Sequence, residues 1–545
     1  MQVPAVSPRT LAGLPYKWIV AIVVIFGVFM TILDSTIVNI AIPRLQTVFG
    51  ADLTSVQWVL TAYTLVQGVA TPLTAFLAQR LGQKRLYLLA LAGFTLGSAL
   101  CGLAWSLPVL IFFRILQGIM GAFMSPLAIT LLYSEFPLEE RGMAMGALGV
   151  PILLAPAFGP TVGGYIVTFL GWQLIFYINV PIGILGIILG TLYLRERRPP
   201  TRTSFDIPGF LTSALGLSAL LYGLSDASTD GWGSTKVISF LAVGVLMLIV
   251  FTIVEINVAN RGRQPLLDLR IFANAAFTTS SIASALVTFA LYGGLFLIPV
   301  YLQDLRGLSA YQAGLLLLPQ AFASMAASLV AGRIVDKLGV RAAVIPGLVI
   351  LAVALWFFTR LGANTPYGTI QIWLIARSLA LGFCFQPLSV SALSAFGPRD
   401  LPQASSLSTT IRFVMSSFAV AVIATLVQTQ TSVHYAHLAE MVTPASPLGK
   451  LVLELQALFM SQGAAASAAY SASLQTISGL VQEQATILAM RDAFWVSVAL
   501  TVVAIIATFF VRLSRPQLDD INDESMSGED REEAARAREE AMLSV

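Results

Sequence analysis

Long apolar stretches, divided by short polar ones, make up most of this chain. They fall at about 18–42, 55–78, 86–105, 108–132, 143–168, 173–194, 207–225, 237–257, 277–302, 312–335, 342–361, 370–396, 404–427 and 492–512. Each runs roughly 20 residues, the length a helix rising about 1.5 Å per residue needs to cross a hydrocarbon core of roughly 30 Å. A membrane strand needs only about 10, so the pattern predicts helices and excludes an outer-membrane barrel. The seventh stretch is the weakest of the set. The expected fold class is an all-α polytopic membrane protein with 14 transmembrane helices.

An even number of spans puts both termini on one side, and Lys and Arg decide which. Segments on the side of the termini hold Arg9, Lys17, Arg80, Lys84, Arg85, Arg141, Arg195, Arg197, Arg198, Arg202, Arg261, Arg263, Arg270, Arg333, Lys337, Arg341, Arg399, Arg512 and Arg515. The opposite segments hold Arg44, Lys236, Arg306, Arg360, Lys450 and Arg491. Basic residues gather on the cytoplasmic side, so both termini are expected there, in the cytoplasmic (inner) cell membrane.

A weak repeat divides the spans. LAQRLGQKR (Leu77–Arg85) follows the second and GRIVDKLGVR (Gly332–Arg341) follows the tenth, each a short turn with a glycine and basic residues. If these turns correspond, two six-helix bundles flank two inserted helices, a layout known among transporters. The expected divisions are 1–200, then 201–262 for the linker and inserted pair, then 263–512 with an external loop at 428–491, and a charged tail at 513–545. In that loop Ser446–Gln462 and Ser473–Met490 read as an amphipathic helical hairpin. His434 and His437 read as part of an ordinary solvated loop.

Composition changes the picture by exclusion. The chain is 57% hydrophobic and 11% charged, against about 25% charged in soluble domains. A net charge of +3 is too small to imply a nucleic-acid partner. Cys101 and Cys384, both in apolar segments, imply neither a disulfide framework nor a metal cluster. The first apolar run is too long for a signal-peptide core and no A-x-A cleavage site follows it. There is no GxxxxGK[ST] loop and no nucleophile cluster. The expectation is a protein that is not an enzyme, holds no cofactor and draws energy from a proton gradient.

Charges inside spans carry the candidate chemistry. Asp34 follows an uncharged run from Trp18 to Leu33, and Asn39 is its nearest strongly polar neighbour in sequence. A carboxylate at that depth costs roughly 2.5–3.5 kcal/mol on insertion scales, so it marks a proton or substrate site by default. Arg114, with Gln117 one turn along, needs a partner in its apolar span; a pair with Asp34 fits but spacing does not establish it. Arg412 and Arg377 are two further intramembrane cations. Pro156 and Pro160 permit a bend, while Gly159, Gly163 and Gly164 permit close helix contact, so this span suits a hinge.

Five stretches then carry a family resemblance. LDSTIVNIAIP (Leu33–Pro43), LAQRLGQKR, RILQGIMGA (Arg114–Ala122), APAFGPTVGGYI (Ala155–Ile166) and GWQLIFYINVPIG (Gly171–Gly183) occur in the order found in the fourteen-span drug:proton antiporters of the major facilitator superfamily, the EmrB/QacA group. TTIRF (Thr409–Phe413) resembles the group's thirteenth span. The resemblance implies a proton-coupled exporter of hydrophobic or amphiphilic compounds working by alternating access, with a lipid or lipid-precursor translocator on the same fold as the alternative. It implies Asp34, Arg114 and Arg412 as the proton-coupling set and a periplasmic adaptor protein as a partner. Cavity candidates on this reading are Asn39, Tyr63, Gln67, Gln117, Phe123, Met124, Phe289, Tyr292, Phe296, Gln386 and Met415. Gating candidates are Gln79, Arg80, Gly82, Arg85 and Asp336. Gln79 stands where the superfamily usually has an aspartate; Asp336 keeps the acid in the second half, with Arg333, Lys337 and Arg341 as nearby partners.

Overall fold

A computed structural model describes residues 14–196, 205–397, 400–443 and 445–509. The tail at 513–545, much of the expected linker, and Arg9, Arg512 and Arg515 lie outside the described residues. The helices are α1 (Tyr16–Phe49), α2 (Leu53–Ala70), α3 (Leu73–Leu81), α4 (Gln83–Gly102), α5 (Leu107–Glu135), α6 (Arg141–Phe169), α7 (Leu174–Tyr177), α8 (Asn179–Tyr193) and α9 (Ile207–Asp230). Then come α10 (Thr235–Asn260), α11 (Ala275–Val300), α12 (Ala310–Leu338), α13 (Val340–Phe358), α14 (Tyr367–Leu393), α15 (Leu401–Glu440), α16 (Pro447–Ser461) and α17 (Ala466–Phe509). Among the described residues 13 helical stretches are long and apolar enough to cross a membrane, 14 when the bent pair α2–α3 counts as one span. No strand occurs among them.

The second span bends by 61° because Pro72 has no N–H and its ring blocks a continuing helix. Thr71 closes α2 by donating both its N–H (3.1 Å) and its hydroxyl (2.7 Å) to the Gln67 carbonyl. The two repeated turns are built alike: Gly82 has φ +92° and Gly339 φ +86°, a conformation that suits glycine.

In the first part of the chain α1 packs on α5, α6 and α8, while α4 packs on α5 and α8. In the last part α11 packs on α14, α15 and α17, and α13 on α14 and α17. The inserted helices α9 and α10 pair with each other, and α9 lies against α2 and α15. The long seam between the two parts is α6 against α12, and small residues make it close. A Cβ on Gly142 would lie 2.5 Å from the Gly332 carbonyl oxygen, and one on Gly146 2.7 Å from that of Ser328.

The segment expected to be external departs from expectation. Helix α15 passes its expected end at 427 and runs to Glu440, and α17 begins at Ala466 rather than near 492. The expected hairpin is helical, but its second helix continues unbroken into the last span. Val452 on α16 packs with Ile477 and Val481 of α17 and with Tyr435 and Leu438 of α15, which extends those helices beyond the apolar spans. His434 is not an ordinary loop residue: it lies in α15 and its Nε2 is 2.7 Å from Asp492 Oδ2 on α17.

Two glycines should respond oppositely to alanine. Gly146→Ala overpacks the seam and is expected to cost about 1–3 kcal/mol. Gly479 sits inside α17, and a Cβ added there would meet nothing within 4 Å, so Gly479→Ala should gain up to about 1 kcal/mol. Thermal unfolding of the two purified variants in detergent checks both signs.

Candidate functional site

Asp34 sits mid-way along α1 with no exposed surface, and Arg114 on α5 is equally buried. Arg114 Nη1 donates to Asp34 Oδ2 at 2.5 Å. The other carboxyl oxygen accepts from Gln117 Nε2 at 3.0 Å and from Asn179 Nδ2 at 2.8 Å. Asn179, the first residue of α8, also donates to Ser98 Oγ on α4 at 3.0 Å. One carboxylate therefore ties together α1, α5 and α8, and through Asn179 reaches α4. A buried ion pair is tolerable only when its remaining donors and lone pairs are filled. Here Arg114 Nε donates to the Val59 carbonyl at 3.1 Å, Nη1 also reaches Gln117 Oε1 at 2.7 Å, and the guanidinium lies 3.8 Å from the centre of the Tyr63 ring. Arg114 Nη2 and Asn179 Oδ1 are left as buried polar atoms without a partner among the described residues.

The ends of the helices at the turns Gly82 and Gly339 carry most of the Lys and Arg; this is the basic end of the bundle. There Asp336 on α12 accepts from the N–H of Gly142 (2.7 Å) and of Met143 (2.9 Å). A carboxylate thus caps the first turn of α6, where the helix dipole favours negative charge. The hydrogen bonds of Asp336 thus include these backbone groups beside the cationic partners Arg333, Lys337 and Arg341 that the sequence suggested. Nearby, Ser406 Oγ donates to the Thr71 carbonyl at 2.8 Å, Thr130 and Ser405 hydroxyls lie 3.0 Å apart, and Gln79 is hydrogen-bonded to Gln264. All these contacts join early helices to late ones at the basic end.

The family model of the Major Facilitator Superfamily matches residues 24–420. The chain belongs to this superfamily. It is 36% identical to the uncharacterized MFS-type transporter YhcA of Bacillus subtilis over 78% of this chain and 79% of that protein. It is 31% identical to the multidrug export protein EmrB of Escherichia coli K12, covering 91% of this chain and 95% of that one. The solved structure of the human organic anion transporter MFSD10 (TETRAN) superposes with a TM-score of 0.58 at 14% identity, covering 90% of this chain and all of that one; at that identity it speaks to the fold alone.

Within the superfamily fold the remaining candidates scatter. Asn39 is exposed, five residues and more than one turn from Asp34, and shares no hydrogen bond with it. Tyr63 and Gln117 belong to the buried ion-pair cluster, and Gln67 lies beside it, 2.7 Å from a Cβ placed on Gly121. Phe123 and Met124 are packed in the core rather than set on an open wall. Gln386 Nε2 donates to the Met145 carbonyl at 3.0 Å across the seam. Arg412 is held by Ser389 Oγ (3.0 Å) and Thr409 Oγ1 (3.3 Å), with Tyr292 beside it. Phe289 is buried edge-on against Phe418, with ring centres 6.3 Å apart, and Phe296 is half-buried. Met415 lines an apolar cavity of about 230 Å³ between the α2–α3 bend, α9, α10 and α15, with Pro72, Leu217, Phe251 and Ile411. Arg377 is fully buried and donates Nη2 to the Leu291 carbonyl at 2.8 Å; Gly294 makes its space, since a Cβ there would lie 2.3 Å from that nitrogen.

The hinge candidates face two ways along one continuous α6. A Cβ on Gly159 would lie 2.3 Å from Thr36 Oγ1 of α1, and one on Gly164 3.3 Å from Tyr311 N of α12. Pro156 and Pro160 are inside this helix. Arg80 lies 5.9 Å from the Phe76 ring centre, Arg85 Nε is 3.5 Å from Glu196 Oε2, and Gly82 leaves room for that same Glu196. Sequence reasoning missed Asn179 as a partner of the acid and Ser98 as the partner of Asn179. The only available signal was Asn179 inside the Phe-x-Ile-Asn-x-Pro stretch; nothing in the spacing aimed it at Asp34.

Removing one side of the ion pair strands the other. Arg114→Ala is expected to destabilise by about 3–5 kcal/mol. The double variant Asp34→Ala/Arg114→Ala should lose less than the two single variants summed. A double-mutant cycle on thermal or denaturant unfolding measures that coupling; strict additivity contradicts the pairing.

Proposed function

We propose that this protein is a proton-coupled exporter of hydrophobic or amphiphilic compounds, with Asp34 as the proton carrier. The observation that carries the reading is the complete burial of Asp34 inside a four-helix hydrogen-bond cluster. Protonating that carboxylate removes the negative charge that Arg114, Gln117 and Asn179 all address. The neutral carboxyl can still accept, but its bonds to the three donors lose their charge assistance, and the tie of α5 and α8 to α1 weakens. Proton uptake thereby changes which helix arrangement is favoured, and a ligand or ion shifts an equilibrium only through such differential contacts.

Arg114 follows as the counter-charge that must find a new partner when Asp34 is neutral. Arg412 lies in the later helices among hydroxyls and next to Tyr292, and shares no hydrogen bond with Asp34; we assign it to the polar part of a cargo or to the coupling step through Tyr292. The apolar cavity beside Met415 suits the hydrophobic part. Asp336 and the small-residue seam of α6 and α12 serve as the gate at the basic end, which we place in the cytoplasm with both termini, in the cytoplasmic membrane. The names of relatives such as the multidrug export protein EmrB support drug-like cargo and do not favour the lipid-translocator alternative. An adaptor protein would meet the chain at α16 and the first half of α17, where Leu453, Leu458, Tyr470 and Leu474 are exposed.

Two variants test the scheme. In proteoliposomes with an imposed proton gradient, Asp34→Asn should abolish gradient-driven export of a panel of amphiphilic dyes and drugs, while the wild type exports them. Full export by Asp34→Asn overturns the assignment. Asp336→Asn keeps the shape but weakens a capping interaction between a charge and two N–H groups, each bond of that kind being worth about 1.5–3 kcal/mol. It should raise the reactivity of a cysteine placed at Gly142's neighbour Met143 toward a membrane-impermeant thiol reagent.

A further inference from the structure

The basic ends of α9 and α10 hold two acids that the exchange scheme does not use. Asp206 caps α9, with Gly209 N donating to its Oδ1 at 3.0 Å. Glu255 lies in the last two turns of α10 and is 1% exposed. Both oxygens of Glu255, and Asp206 Oδ2, are buried with no hydrogen-bond partner among the described residues. The backbone N–H groups of Leu266 and Leu267 lie near Glu255 but fall short of hydrogen-bond geometry. The two carboxyl groups meet over Gly209: a Cβ there would stand 2.4 Å from Asp206 Oδ2 and 2.5 Å from Glu255 Oε1. The oxygens are therefore within about 5 Å of each other, a range in which a second like charge is strongly disfavoured.

The described residues around the two acids supply no compensating cation. Asp268, the other acid near Glu255, is paired with Arg270 at 3.0 Å. Gln264 is bonded to Gln79, Gln403 accepts from Asp268 N at 3.3 Å, and Arg80 lies over the Phe76 ring. Arg261 and Arg263, just past α10, are exposed. Among the described residues no Lys or Arg forms an ion pair with Asp206 or Glu255, and no third His, Cys, Asp or Glu completes a metal site with them. Buried carboxylates in that position take a proton rather than stay doubly charged. One proton between them removes one charge and makes an O–H···O bond that fills two of the three orphaned oxygens.

We propose that Asp206 and Glu255 share a proton and form a second proton-binding site, separate from Asp34, at the basic end of the inserted helix pair. The shared proton holds the start of α9 to the end of α10, beside the segment that leads into α11. Losing it sets two like charges face to face and drives these ends apart. The site therefore senses pH on the side of the membrane that the basic end faces.

Infrared difference spectra of the full chain in lipid nanodiscs, titrated over pH, read protonated carboxyl groups directly. The difference between Asp34→Asn and Asp34→Asn/Glu255→Gln, and that between Asp34→Asn and Asp34→Asn/Asp206→Asn, should each contain a carboxyl component that is protonated at pH values where the exposed carboxylates are ionised and is lost as pH rises further. Each double variant replaces one carboxyl by an amide of the same shape; Asp206→Asn reads the pair independently if Glu255→Gln does not fold. Double variants whose spectra differ from that of Asp34→Asn by no such component overturn the proposal. So does a pair that stays fully ionised at every pH and gains thermal stability from added sodium or potassium, which would make it a metal-cation site.

Discussion

A carboxylate and a guanidinium held against each other in oil set the terms for the rest of this molecule. Neither Asp34 nor Arg114 has exposed surface, so neither is solvated by bulk water, and each depends on the protein for every hydrogen bond. That requirement shapes the helices around the pair. Glycines stand where neighbouring spans must come close: a Cβ on Gly97 would be 2.9 Å from Gln117 Cβ, and one on Gly118 2.9 Å from the Tyr63 carbonyl oxygen. Gly159 does the same for α6 against Thr36, two residues along from the acid. Small residues allow close approach in membranes, where no hydrophobic force drives helices together. The collar of glycines and the ion pair thus work together: the first lets α4, α5 and α6 come close around α1, and the second ties α5 and α8 to it, with α4 joined through Asn179.

Much of the fold was legible because a bilayer imposes one length and one composition on every span. The count and nearly all the limits of the helices follow from runs of about 20 apolar residues. The failures occur where that constraint is absent. Beyond the apolar core α15 and α17 continue as helices because they pack on α16 through Val452, Ile477 and Tyr435, and hydropathy carries no record of helix-on-helix contact in water. The bend at Pro72 was written in the sequence, but its 61° depends on how α3 packs against α15 and α5.

The site was legible in its charges and opaque in its neutral partners. Asp34 and Arg114 stand out because a charge in an apolar span has a large energetic cost, so it must be answered somewhere. Asn179 and Ser98 cost far less to bury and leave no such mark. The cavity candidates fared worse for a related reason. An aromatic or Met on a span serves equally as core, lipid contact or wall, and only three-dimensional packing separates them; Phe123 and Met124 proved to be core. Arg377 shows the converse. Its charge was visible, but its burial against Leu291 and Gly294 needed a glycine on another helix, far away in sequence.

The two parts of the chain handle intramembrane charge differently, and that difference bears on how they move. In the early helices cation and anion cancel, and a proton on the carboxylate would leave the guanidinium as an uncompensated charge. In the later helices Arg377 and Arg412 are held by a carbonyl and by hydroxyls, with no carboxylate hydrogen-bonded to either among the described residues. The early helices are thus tied through one carboxylate, to which α5 and α8 both donate. The two parts are joined at the seam, where α6 touches α1 at Gly159 on one face and α12 at Gly164 on the other. At its basic end the same helix is capped by Asp336, which binds α6 to α12 by a charge that Asp34 does not share. One helix thus meets the span that carries Asp34 and the opposing half at once. The physical route between them is this single helix, α6, whose three internal prolines already leave carbonyls without their helical donors.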